Sequence, residues 1–312
     1  MAASVSKPNV RFAPGVYTAA LTLDRTVSIH GAGATLLATL DGPNLRVIDA
    51  AVARVYDLSI VNNNTAAASV FAQMGIYCAS EDNINRPKLS LKRVVIDANR
   101  RPMHINDCGV IASQTTLRAP RTTDERYLFM AANGGSAAFD RGQFIGGGSI
   151  ASLSASITIT NSILDGQLGA PTEGALIAVA GSISVSYSTI FNSPLLCSAG
   201  ESPACASAAR TGVCIENSIV NKPSSLSDSL PGDKCRCDYC IVSPQQSAVV
   251  GSNNLIGENP DFKDPATSDF HLKLGSPAIN AAHPSIPGTA DYDGVARPQN
   301  GRSDLGAFEF KP

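Results

Sequence analysis

Short runs that alternate apolar and small polar residues recur along the chain, each closing on an apolar pair and then Asn, Asp, Gly or, once, Ser. In order they are Val55-Tyr-Asp-Leu-Ser-Ile-Val-Asn62, Leu91-Lys-Arg-Val-Val-Ile-Asp97, Phe139-Asp-Arg-Gly-Gln-Phe-Ile-Gly146 and Ile157-Thr-Ile-Thr-Asn-Ser-Ile-Leu-Asp165. Then follow Ile183-Ser-Val-Ser-Tyr-Ser-Thr-Ile-Phe-Asn192, Val213-Cys-Ile-Glu-Asn-Ser-Ile-Val-Asn221, Cys237-Asp-Tyr-Cys-Ile-Val-Ser243 and Val249-Val-Gly-Ser-Asn-Asn-Leu-Ile-Gly257. Period-2 alternation rich in β-branched residues predicts strands. No segment carries a helical stripe, and long helical patterns do not separate the strands, which argues against a doubly wound α/β fold. Short strands on a drifting period predict a solenoid: no turn buries its apolar side alone, but turns stacked about 4.8 Å apart bury a continuous ladder. Asn and Gly at the ends of the runs suit corners in the left-handed conformation.

Two ends of the chain carry a resemblance. Phe12-Ala-Pro-Gly-Val-Tyr17, Leu21-Thr-Leu23 and Val27-Ser-Ile-His-Gly-Ala-Gly33 look like the first coil of right-handed parallel β-helix proteins with the pectate-lyase-like fold. Asn259-Pro-Asp-Phe262, Asp269-Phe-His-Leu272, Gly275-Ser-Pro-Ala-Ile-Asn280, Asp291-Tyr-Asp-Gly294, Arg297-Pro298 and Asp304-Leu-Gly-Ala-Phe-Glu309 resemble the closing segment of secreted bacterial members. The resemblance implies an all-β right-handed parallel β-helix over residues 1–258 and an irregular cap over 259–312. It implies no particular reaction, because the fold hosts enzymes and adhesins alike. The tail is expected to plug the open end of the core with Phe262, Phe270, Leu272, Leu274, Ile279 and Phe308, and Arg297 to pair with Asp293 or Asp304.

Composition narrows the partners. Net charge of -2 and few aromatics in the basic region argue against nucleic acid. No apolar run reaches transmembrane length, and no signal peptide is visible at the start. The eight cysteines, Cys78, Cys108, Cys197, Cys205, Cys214, Cys235, Cys237 and Cys240, are read as disulfide candidates, with the pairing left open. They point to a secreted or cell-surface protein. Free buried thiols are the second reading and zinc the weakest, since Cys235-Arg-Cys237-Asp-Tyr-Cys240 lacks a second ligand cluster.

Candidate chemistry is sparse. His30-Gly-Ala-Gly33 lacks the third glycine of a phosphate-binding turn and reads as a coil corner. Asp291-Tyr-Asp-Gly294 has the opening of a calcium loop, but Arg302 stands where the closing carboxylate belongs, so a hydrogen-bonded turn and no cofactor are expected, with calcium as the weaker reading. Cations gather between 86 and 126, and Lys92, Arg93, Arg100, Arg101, His104, Arg118 and Arg121 are the candidate substrate-binding residues. Stacked on one face, they would suit an acidic polysaccharide. The expected function is a non-catalytic extracellular β-helix for adhesion, scaffolding or carbohydrate binding, with a cell-surface partner. The alternative is a polysaccharide lyase, although Arg100-Arg-Pro102 is only a fragment of the pectate-lyase signature, and Asp97, Asp140 and Asp165 form no carboxylate pair. No catalytic residue is assigned.

Overall fold

The computed structural model describes residues 8–38, 42–64, 71–82, 84–120, 127–146, 148–166, 176–192, 212–221, 235–244, 249–286 and 288–312. The strands form a 20-stranded and a 7-stranded parallel sheet plus one two-stranded antiparallel hairpin. There is no α-helix among the described residues, only two short 3-10 turns, Phe71–Gln73 and Pro265–Thr267. The chain is a right-handed parallel β-helix.

Coils up to residue 192 lay strands on three faces; of the later coils, the described residues show the first two faces. On the first face Lys88–Lys92, Gly109–Ser113, Ser136–Asp140, Ser156–Thr160, Ser182–Ser186 and Gly212–Glu216 pair in register. On the second, Val95–Ala98, Thr116–Ala119, Gln143–Gly146, Ile163–Asp165, Thr189–Phe191, Ile219–Asn221 and Ile241–Val242 do the same. The third carries Leu45–Ile48, Met74–Ala79, Arg101–Asn106, Tyr127–Ala132, Ser149–Leu153 and Leu176–Val179. The long strands Val27–Leu37 and Val52–Asn62 span the first two faces, and Ala32 and Gly33 turn the first of them with positive φ. The His30-Gly-Ala-Gly33 segment is therefore a corner.

One corner explains the repeated sequence pattern. Between the first and second faces, successive coils place Asp57, Arg93, Gln114, Arg141, Asn161, Tyr187, Asn217, Tyr239 and Asn253 at positive φ. The next residue points into the corner, the one after it outward, and the fourth into the core. In three successive later coils the corner residue is serine. Ser188 Oγ accepts the backbone N–H of Ser162 and Ser218 Oγ that of Ser188, each at 3.1 Å. Ser162, Ser188 and Ser218 each donate in turn to the carbonyl two residues earlier. A fully buried hydroxyl column thus satisfies the backbone groups that the corner removes from the ladder.

Two hydrophobic cores result. Inward residues, such as Ile96, Leu117, Phe144, Leu164, Ile190 and Val220, fill the solenoid. Ile163, Tyr187, Ile219 and Ile241 instead join Phe262, Phe270, Leu272, Leu305, Ala307 and Phe308 in a second cluster outside it. The expectation of an end plug is thereby corrected: the tail lies along the flank of the later coils. Leu274 is 84% exposed, and Ile279 packs only partly against the second cluster. Adjacent strand residues face opposite ways, so an apolar pair buries both members only if something covers the outside.

Cysteines tie successive coils and a corner. Cys78 and Cys108, both in the solenoid core, form a disulfide with 5.9 Å between Cα atoms. Cys237 and Cys240 bridge across a corner, and Cys214 is also disulfide-bonded. Cys197 and Cys205 lie outside the described residues, as does the side chain of Cys235.

Candidate functional site

The basic residues from 86 to 118 do not share one face. Lys92 ends a first-face strand, exposed, in register with Tyr56 and Ser113. Arg93 occupies a left-handed corner and grips Asp57 with both arms, at 2.5 and 2.9 Å. Arg118 stands on the second face, 3.7 Å from Asp97, and Arg86 pairs with Asp107 at 2.8 Å. Arg100 sits at a turn between the second and third faces, and Arg121 lies outside the described residues. Pairing with the aspartate of a neighbouring coil offsets charge, and at exposed sites such pairs add little stability.

The third face does assemble something. Its outward positions Arg46, Tyr77, His104 and Met130 stand in register on four successive coils. The Tyr77 ring meets the Phe71 ring edge-on at 4.8 Å and the His104 ring at 5.6 Å. Arg101, buried at the start of the same strand, donates from Nη1 to His104 Nδ1 at 3.1 Å and lies over the Tyr127 ring at 5.4 Å. Burial first, then the Arg101 charge, pulls His104 down to about 4. Its ring is therefore neutral at pH 7, which suits Nδ1 as an acceptor. Phe71, Tyr77, His104, Tyr127 and Met130 are all half-buried, so one side of each remains open to solvent. Of the sequence candidates, this face joins only Arg101 and His104. It adds Phe71, Tyr77 and Tyr127, whose separation along the chain hid them. A count of coil lengths placing 77, 104 and 130 in one column was the available signal.

The tail's charged residues build the cap from inside. Arg297 and Glu309 form an ion pair at 2.9 Å with side chains 0% and 1% exposed. Arg297 also donates to the carbonyls of Asp304 and Gly306 and lies over the Tyr187 ring. The expected pairing with Asp293 or Asp304 is corrected: only the backbone of Asp304 is used. Asp291 accepts the amides of Val295 and Glu309, and Asp304 those of Asn280 and Phe310. Asp291 Oδ1 thus closes the 291–295 turn, and Oδ2 ties that turn to the C-terminal segment. No group of three or more potential ligands is arranged for a metal among the described residues. Backbone amides aimed at buried carboxylates give Asp291, Asp304 and Glu309 a structural role beside Arg297 in the closing segment.

No protein-family model matches the chain, and no curated protein matches it by sequence. A search of solved structures matches it to "pectate lyase Pel9A" with a TM-score of 0.65 and 14% identity, over 97% of this chain and 88% of that one. The fold is pectate-lyase-like. At this identity the likeness carries the fold alone, and the chemistry rests on the side chains above.

Proposed function

We propose that the protein is a non-catalytic extracellular β-helix, an adhesion or scaffold domain of a larger exported protein, that holds a glycan on its third face. The observation that carries the reading is the contrast between cations neutralised separately on different faces and the one cluster where Arg101, His104, Tyr77, Tyr127 and Phe71 meet. Aromatic rings flanked by a guanidinium supply an apolar face for sugar C–H groups and fixed donors for hydroxyls or a carboxylate. The Cys78–Cys108 disulfide supports export. Uronate elimination would need a base and a cation converging on one substrate carbon. Arg93 and Arg118 are instead each engaged with an aspartate.

A glycan array followed by titration calorimetry tests this. Wild type is expected to bind an acidic polysaccharide, and Tyr77→Ala to weaken binding about tenfold, the loss of one aromatic contact. Binding unaffected by Tyr77→Ala and His104→Ala would contradict the third-face site. Release of unsaturated uronate from a polysaccharide panel would favour the lyase reading, which the fold shared with Pel9A supports.

A further inference from the structure

The cap holds a histidine that the structural network does not use. His271 lies on the strand Asp269–Leu272, paired antiparallel with Phe262–Asp264. Its Nδ1 faces Asp269 Oδ1 at 2.5 Å and its Nε2 faces Asp293 Oδ2 at 2.8 Å. Asp293 belongs to the 291–295 turn, so the imidazole joins two parts of the cap. The Phe308 ring lies 4.0 Å from it. An open cleft with about 200 Å³ of space adjoins, lined by Lys263, His271, Asp291, Asp293, Glu309 and Lys311 among others.

We propose that His271 is a proton-operated clasp, locking the 262–272 hairpin onto the 291–295 turn when charged and releasing that edge of the cleft when neutral. The geometry is specific to the charged form: a neutral imidazole has one N–H, so one of the two carboxylates would face a lone pair. The charged groups around it are Asp269 and Lys263 from the hairpin, Asp293 and Asp291 from the turn, and Glu309 and Lys311 from the C-terminal segment. Asp291 already accepts two backbone amides and Glu309 the Arg297 guanidinium, which leaves Asp269 and Asp293 as partners.

Burial alone would lower the His271 pKa, but the bonds to Asp293 and Asp269 outweigh it and hold it above the usual 6.5. A raised folded value means that the stabilisation is complete below pH 6.5 and is lost as pH rises through the raised value. Asp269 is also partly desolvated, but its His271 bonds hold it below 3.8; its contribution is present above 3.8 and lost as pH falls through the lower folded value. Asp304 differs. Burial raises it to about 6, so stability falls as pH rises from 3.8 towards 6, below the window of His271.

Amide exchange of peptides covering 269–272 and 291–295, corrected for intrinsic rates, tests the clasp between about pH 6 and about pH 9. In wild type, local opening is expected to increase on the order of fivefold across that range, the scale of a charge-assisted surface contact. His271→Asn should remove the pH dependence, and Asp293→Asn should shift its midpoint to lower pH. Nitrogen-resolved NMR of the ring should show a titration midpoint above 6.5, with both nitrogens protonated below it. Equal pH dependence in wild type and His271→Asn, or a ring titrating at or below 6.5, would overturn the proposal. His271 is 37% exposed and belongs to neither apolar cluster.

Discussion

The coils spanning 57–144 and those spanning 161–256 share one corner and fill it in opposite ways. In the first group the corner residue is Leu58, Val94, Thr115 or Gly142, and the outward neighbour is Ser59, Val95, Thr116 or Gln143, each partly exposed. In the second, the corner holds Ser162, Ser188, Ser218, Cys240 or Asn254, and the outward neighbour is Ile163, Thr189, Ile219, Ile241 or Leu255. The difference follows from what lies outside. The early flank meets water, so its outward residues are polar or small and the corner itself can be apolar. The late flank meets the cap, so its outward residues are apolar except for Thr189, whose hydroxyl bonds the cap. Hydroxyls at those covered corners satisfy backbone groups out of water's reach. Residues beside those corners bind the cap: Thr189 Oγ1 accepts the amide of Ala307, Asn217 accepts those of Gly306 and His283, and Tyr187 donates to the Ile286 carbonyl.

The contrast can be broken in graded steps. Arg297→Ala leaves Glu309 charged and buried without its partner and should cost about 3–5 kcal/mol, read as a lowered urea midpoint. Ile219→Ala opens a hole between cap and coil and should cost about 3 kcal/mol in the same assay. Ser188→Ala strands the Ser162 amide in a fully buried corner and should cost about 2 kcal/mol. Val95→Ala, at the matching outward position of an uncovered coil and 38% exposed, should cost no more than about 0.5 kcal/mol. Equal losses at Ile219 and Val95 would erase the distinction between the flanks.

Much of the solenoid was legible in the sequence because inward strand residues are constrained by the core on every coil. Ile60, Ile96, Phe144 and Ile190 stand where period-2 alternation puts them. The lateral cap was less legible, although its sign was present: Ile163-Leu164, Ile219-Val220 and Ile241-Val242 are adjacent apolar pairs, which a single core cannot bury. The basic region misled because ladder register, which decides who shares a face, depends on loop lengths that sequence spacing does not reveal. Lys92 and Arg118 went to different faces from Arg101 and His104. Arg297 found Glu309 rather than the nearer Asp293 because burial selects the partner that the backbone also holds.

Hydrogen exchange by mass spectrometry on wild type and Arg297→Ala compares the flanks directly. A lateral cap predicts faster exchange in the variant at 163–165, 189–191, 219–221 and 241–242, with 95–98 and 116–119 unchanged. Faster exchange confined to the last coil, 249–256, or spread evenly over every coil, would contradict it.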